Sequence, residues 1–176
     1  MAKERILPYT TAQLAYAAGF FDGEGCVSFT LEKCNKSGSI AATIGNTNKE
    51  VLDFIHKIFG GRLSFYKSNN AKHKDVHSWV ISGSDCIDFL TAIKPWVIIK
   101  HEQICLAEFF FEIRNVTNRP APADLAYSMI LIRDQFRWLN RRGPRREDDI
   151  EPIPYRTGSI WYEDYPEIIK QIQQET

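Results

Sequence analysis

The chain has 176 residues, 44% of them hydrophobic, and 22 basic side chains balance 22 acidic ones. That is enough for one domain with appendages and an ample core. The balance argues against a generic nucleic-acid binder, although "RDQFRWLNRRGPRR" (133–146) is a strongly basic patch able to bind phosphate. No apolar run is long enough to span a bilayer, and "MAKERILPYTT" has no signal-peptide core, so no membrane partner is expected. Cys26, Cys34, Cys86 and Cys105 form no CxxC pair, which argues against zinc and fits a reducing intracellular compartment.

Residues 11–22, "TAQLAYAAGFFD", predict a helix, with Thr10 or Thr11 as cap and Gly23 and Gly25 as its stop. "CVSFTLEK" alternates, placing Val27, Phe29 and Leu31 on one face and Ser28, Thr30 and Glu32 on the other. After the turn "NKSG", a second strand points Ile40, Ala42 and Ile44 inward. Residues 48–61 carry a helical apolar stripe through Val51, Leu52, Ile55, Ile58 and Phe59, closed by Gly60 and Gly61. The order then repeats: strand 62–68, polar loop 69–75, strand 76–82, and a helix from Ser84, its expected cap, to Ile93. Two more helices are expected over 100–115 and 123–140. The fold class is therefore α+β: helix, two strands, helix, two strands, helix, then extra C-terminal helices. Residues 1–142 form the expected core domain, and 143–176 a proline-rich extension with a short helix near 164–174.

Two hairpins can share one four-stranded antiparallel sheet that buries one face and exposes the other. The exposed set comprises Ser28, Thr30, Glu32, Ser39, Thr43, Arg62, Ser64, Tyr66 and Ser78. These hydrogen-bonding side chains are of the kind that read base edges. Any sheet facing water has a similar pattern, and alternation alone leaves both readings open.

The stretch "AAGFFDGEG" (17–25) resembles the signature of the LAGLIDADG homing endonucleases. Ala stands where the family name has Leu, and Glu24 where it has the second Asp. The likeness covers about residues 10–115, because the order of elements is also that of the family core. It implies a four-stranded DNA-binding sheet and metal-dependent cleavage of double-stranded DNA. Glu24 is then the expected metal ligand, with the Gly23 carbonyl as a second contact and Mg²⁺ as the ion; Mn²⁺ or Ca²⁺ would substitute for binding. Lys100 falls at the family's active-site lysine, with a solvated surface lysine as the alternative. Asn48 falls at a water-positioning residue, with a helix N-cap as the alternative.

Only one copy of the signature is present, since "LAYSMILIRDQF" from Leu125 lacks the Gly-acid-Gly exit. The resemblance therefore implies a homodimer on a near-palindromic site. Ala15, Ala18 and Gly19 recur at three- and four-residue spacing, so a second helix can approach closely. With Asp22 they make the expected dimer interface; Asp22 ranks below Glu24 as a metal ligand, with structural hydrogen bonds at the helix end as its alternative. Two Glu24 carboxylates meeting there would repel without a divalent cation between them. The alternative from another class is an intron maturase or a non-cleaving member that binds intron RNA or DNA.

Overall fold

A computed structural model of the chain describes residues 9–31, 38–70, 72–116 and 123–141. Helix α1, Thr11–Glu24, opens on a capping box. Gln13 N–H donates to Thr10 Oγ1 at 3.2 Å, and Thr10 N–H donates to Gln13 Oε1 at 2.9 Å. The cap thus satisfies backbone donors that the first turn leaves without an intrahelical partner. The helix continues through Gly23 to Glu24, two residues beyond its predicted end. Gly25 is extended, at φ −79° and ψ 162°, so it does not stop the helix by left-handed geometry. It is needed for space, because a Cβ there would lie 2.3 Å from Phe21 Cδ2 and 2.5 Å from Phe21 O.

Strand β1, Gly25–Leu31, and strand β2, Gly38–Asn46, follow. Helix α2 spans Lys49–Phe59 and ends at Gly60 and Gly61, both with positive φ. Gly61 also lacks room for a side chain, since a Cβ would meet Val80 O at 2.7 Å. Strand β3, Arg62–Tyr66, is two residues shorter than predicted. Ser68 N–H turns away from the ladder to Asp75 Oδ1 at 2.9 Å, which closes the loop instead of extending the strand. Strand β4, Val76–Ser82, leads to helix α3, Ser84–Ile93. Ser84 is the first helical residue, and Gly83, without a side-chain bond, occupies the cap position that the sequence assigned to Ser84. A 3₁₀ turn, Lys94–Trp96, precedes helices α4, His101–Val116, and α5, Ala123–Leu139.

The strands form one sheet in the order β1-β2-β4-β3. β4 is antiparallel to both β2 and β3, so the second hairpin lies beside the first, as the α+β reading requires. By packing, the described residues divide between two compact units, those up to 26 with those of 41–101, and those of 27–40 with those from 102 onward. The first is centred on Phe89, whose ring meets Phe21, Phe59 and Trp79 at 5.4, 4.9 and 5.0 Å. Edge-to-face geometry at these distances adds to the burial of area. The Trp79 indole N–H donates to Gly60 O at 2.7 Å, so the buried ring leaves no orphan donor. In the second unit Phe29 stacks on Phe136 at 5.9 Å and meets Phe110 at 5.2 Å. Asn140 Nδ2 there donates to Val27 O at 2.6 Å. Glu32, Cys34, the 143–176 extension and the expected helix at 164–174 lie outside the described residues.

Candidate functional site

The last turn of α1 holds two carboxylates in opposite settings. Asp22 is 9% exposed, and its side chain accepts three backbone hydrogen bonds from a segment more than seventy residues away. Ile98 N–H donates to Oδ2 at 2.6 Å, Ile99 N–H to Oδ2 at 3.2 Å, and Lys100 N–H to Oδ1 at 3.1 Å. The Lys100 ammonium in turn donates to the Asp22 carbonyl. That carbonyl belongs to the final turn, where an ammonium satisfies an orphan acceptor and complements the negative end of the helix dipole. Glu24, two residues on, is exposed, and its carboxylate has no hydrogen bond or ion pair among the described residues. An uncommitted carboxylate thus stands at the end of a helix whose preceding turn carries a lysine ammonium.

Asn48 caps α2: its Oδ1 accepts from Glu50 N–H at 2.9 Å. Its own N–H donates to Asn46 Oδ1 at 2.8 Å. The cap occupies the oxygen and leaves the Nδ2 donor without a partner among the described residues.

Register arranges the sheet residues. Thr43, Val80 and Arg62 lie in one row across β2, β4 and β3; Gly45, Ser78 and Ser64 lie in the next; Val76 faces Tyr66 beyond them. The neighbouring rows carry Trp79 and Ile81, which are buried. Thr43, Arg62, Ser64, Tyr66 and Ser78 therefore share the face opposite the core, with Tyr66 62% exposed. Ser39 alternates with buried Ile40 on β2, and Ser28 and Thr30 flank Phe29 on β1. The face is less uniformly polar than the sequence suggested, because Val76 and Val80 also stand on it.

No protein-family model matches the chain, and no curated protein matches it in sequence. Solved structures do match. I-CvuI in complex with its target in the presence of 2 mM Ca is 18% identical, with 92% of this chain and 95% of that one covered at a TM-score of 0.57. The archaeal intron-encoded homing endonuclease I-Vdi141I complexed with DNA is 21% identical, covering 78% of this chain and 89% of that one, also at 0.57. The I-SmaMI LAGLIDADG homing endonuclease bound to cleaved DNA is 18% identical, covering 81% of this chain and 53% of that one at 0.52. The chain has the LAGLIDADG homing-endonuclease fold.

Within this LAGLIDADG fold the signature 17–25 spans the last turns of α1 and the first residue of β1. Two of the residues expected at a dimer contact are covered by their own chain, since Ala18 is fully buried and the Asp22 side chain accepts from the 98–100 turn. The outward side of α1 is Ala12, Tyr16, Gly19 and Gly23, with Ala15 half-buried. Ala15, Ala18 and Gly19 do neighbour one another by helical spacing, but spacing does not say which side the rest of the chain covers. Structural hydrogen bonding by Asp22 is consistent with its place at the helix end, but the partners were not legible, because they are backbone N–H groups that no residue type announces. Lysines Lys67, Lys72 and Lys74 of the β3–β4 loop are exposed; the sequence assigns Lys67 to the end of a strand and Lys72 and Lys74 to a polar loop, none of them to DNA. Their charge was the available signal. Among the described residues no helix is long and apolar enough to cross a membrane.

Proposed function

We propose that this chain is a site-specific endonuclease that, as a homodimer, makes a metal-dependent double-strand break in a long, near-palindromic DNA site. The observation that carries this reading is the meeting of Lys100 with the end of the helix that presents Glu24. A cation and an uncommitted carboxylate are what phosphodiester hydrolysis asks of a protein that leaves much of the work to a metal. Two of the named neighbours, I-Vdi141I complexed with DNA and I-SmaMI bound to cleaved DNA, support the choice of substrate.

The residues fit Mg²⁺. No group of three or more His, Cys, Asp or Glu side chains gathers among the described residues. Mg²⁺ needs no such cage, because it keeps waters and takes one or two carboxylates plus phosphate oxygens. Glu24 would hold the ion with the Gly23 carbonyl, and the bound ion would supply charge neutralisation at phosphorus and a more acidic water. Lys100 stabilises charge on the phosphate, and Asn48 orients a water through Nδ2. The sheet face of Ser28, Thr30, Ser39, Thr43, Arg62, Ser64, Tyr66 and Ser78 reads the major groove, and Lys67, Lys72 and Lys74 hold phosphates. β2 has nine residues. At roughly 3.3 Å each that is about 30 Å, or about nine base pairs per half-site and roughly twenty per dimer. The thiols of Cys26, Cys86 and Cys105, none in a disulfide, fit a reducing compartment.

The test is selection of cleaved duplexes from a randomised library with and without Mg²⁺. The expected product is a near-palindromic site of roughly twenty pairs. Glu24→Gln, which keeps size but loses the charge, is expected to abolish cleavage while DNA affinity in Ca²⁺ stays within about threefold, because phosphate and groove contacts carry most binding. A wild-type protein that binds DNA yet cuts nothing in Mg²⁺ or Mn²⁺ would overturn the nuclease reading. It would favour a non-cleaving binder, with intron RNA as its next candidate ligand.

A further inference from the structure

We propose that Asp22 is a positioning residue for cleavage, whose carboxylate fixes the 98–100 turn so that Lys100 stands at the end of α1 beside the segment bearing Glu24. This rests on the endonuclease reading of the same site. The argument begins with what anchors the turn. Ile98 and Ile99 are 86% and 71% exposed, so their side chains bury almost nothing that would pin the backbone. Val97 is buried just before them, and α4 begins at His101 just after. Between those points, three consecutive N–H groups converge on one carboxylate. An ionised carboxylate has lone pairs for all three, and charge-assisted bonds are the stronger kind. The clamp is reciprocal, because the lysine it places returns a bond to the Asp22 carbonyl. Each half of the site therefore holds the other: the turn cannot shift without releasing Lys100, and Lys100 ties back to the turn of α1 that leads into Glu24.

An amide at position 22 would keep the size of the side chain but offer one oxygen and point its own N–H₂ at backbone donors. The turn would be released, with Lys100 displaced by a fraction of its own length. Misplacement on that scale costs about 100-fold in rate. The experiment is a double-mutant cycle on single-turnover cleavage at saturating protein, so that weaker binding does not enter. Asp22→Asn and Lys100→Met are each expected to slow cleavage about 100-fold. The double variant is expected to be no more than about threefold slower than the worse single one, because both remove the same interaction. Amide hydrogen exchange supplies a readout independent of cleavage. Ile98, Ile99 and Lys100 should be protected in the wild type and lose protection in Asp22→Asn, while the amides of α3 stay protected. Multiplicative loss in the double variant, or restoration of the Asp22→Asn rate at saturating protein, would overturn the positioning role alone. Free exchange of the three amides in the wild type would overturn the clamp itself. Protected amides in a wild type that cuts no DNA would overturn the endonuclease reading, and the catalytic role of Asp22 with it, but leave the clamp standing.

Discussion

Asp22 and Glu24 are separated by a single glycine, yet the first is enclosed by backbone donors and the second faces solvent. Their division of labour follows from environment and not from residue type. A similar contrast separates the cysteines. Cys26 is exposed, whereas burial pushes the Cys86 thiol from its ordinary 9.0 up to about 12, opposed in part by a backbone hydrogen bond at Ala42. The folded state keeps this proton where the unfolded chain releases it. The stability that Cys86 contributes is thus complete below pH 9.0 and lost as pH rises towards about 12. Denaturant titrations of Cys86→Val across that window should show a shallower alkaline decline than the wild type. In the native state near neutral pH, maleimide should modify Cys26 and leave Cys86 untouched, with mass mapping as the check. Gly25 supplies the third residue-scale expectation. Its absent Cβ makes room for Phe21. Gly25→Ala should cost about 1–3 kcal/mol in chemical denaturation, although its backbone angles suit alanine.

At the scale of the element, α1 has a covered side and an open one. Gly19 is exposed, and a Cβ on it would meet nothing within 4 Å in the protomer. Tyr16, one turn earlier, is 52% exposed. Gly19→Leu should therefore leave the protomer fold intact and raise local helix propensity by roughly 1 kcal/mol. Under the homodimer proposal the same change should weaken self-association and reduce cleavage at low protein concentration. Sedimentation and thermal melts together decide the matter. An unchanged dimer would place the contact elsewhere, and a lowered melting point would mean the glycine serves the protomer. The sheet behaves in a parallel way. Its register puts Arg62 in a row with Thr43 and Val80, away from the core.

For the molecule as a whole, two protomers would use each residue twice. If Arg62 bonds guanine in the groove, Arg62→Ala should relax preference at one base pair in each half-site, symmetrically, by about 1–3 kcal/mol. If it meets only phosphate, affinity should fall about equally for all sequences and the salt dependence should flatten. Cleavage profiles over single-base variants distinguish the two. No change on replacing Arg62, Tyr66 and Thr30 together by alanine would remove the sheet from the DNA.

The sequence alone determined the order of elements, because period-two and period-3.6 patterns report which side of each element meets a core. It also identified the signature at 17–25, since small residues, aromatics and a Gly-acid-Gly exit form a local string. It placed the polar sheet residues on one face because strand alternation is local too. Local patterns could not give the extent of α1, the role of Gly25, or the covering of Ala18 and Asp22. Each depends on what packs against the helix from elsewhere in the chain. The bonds from Ile98, Ile99 and Lys100 to Asp22 are the extreme case. Their donors include backbone groups that every residue except proline carries, so only the tertiary structure could decide which carboxylate they would meet.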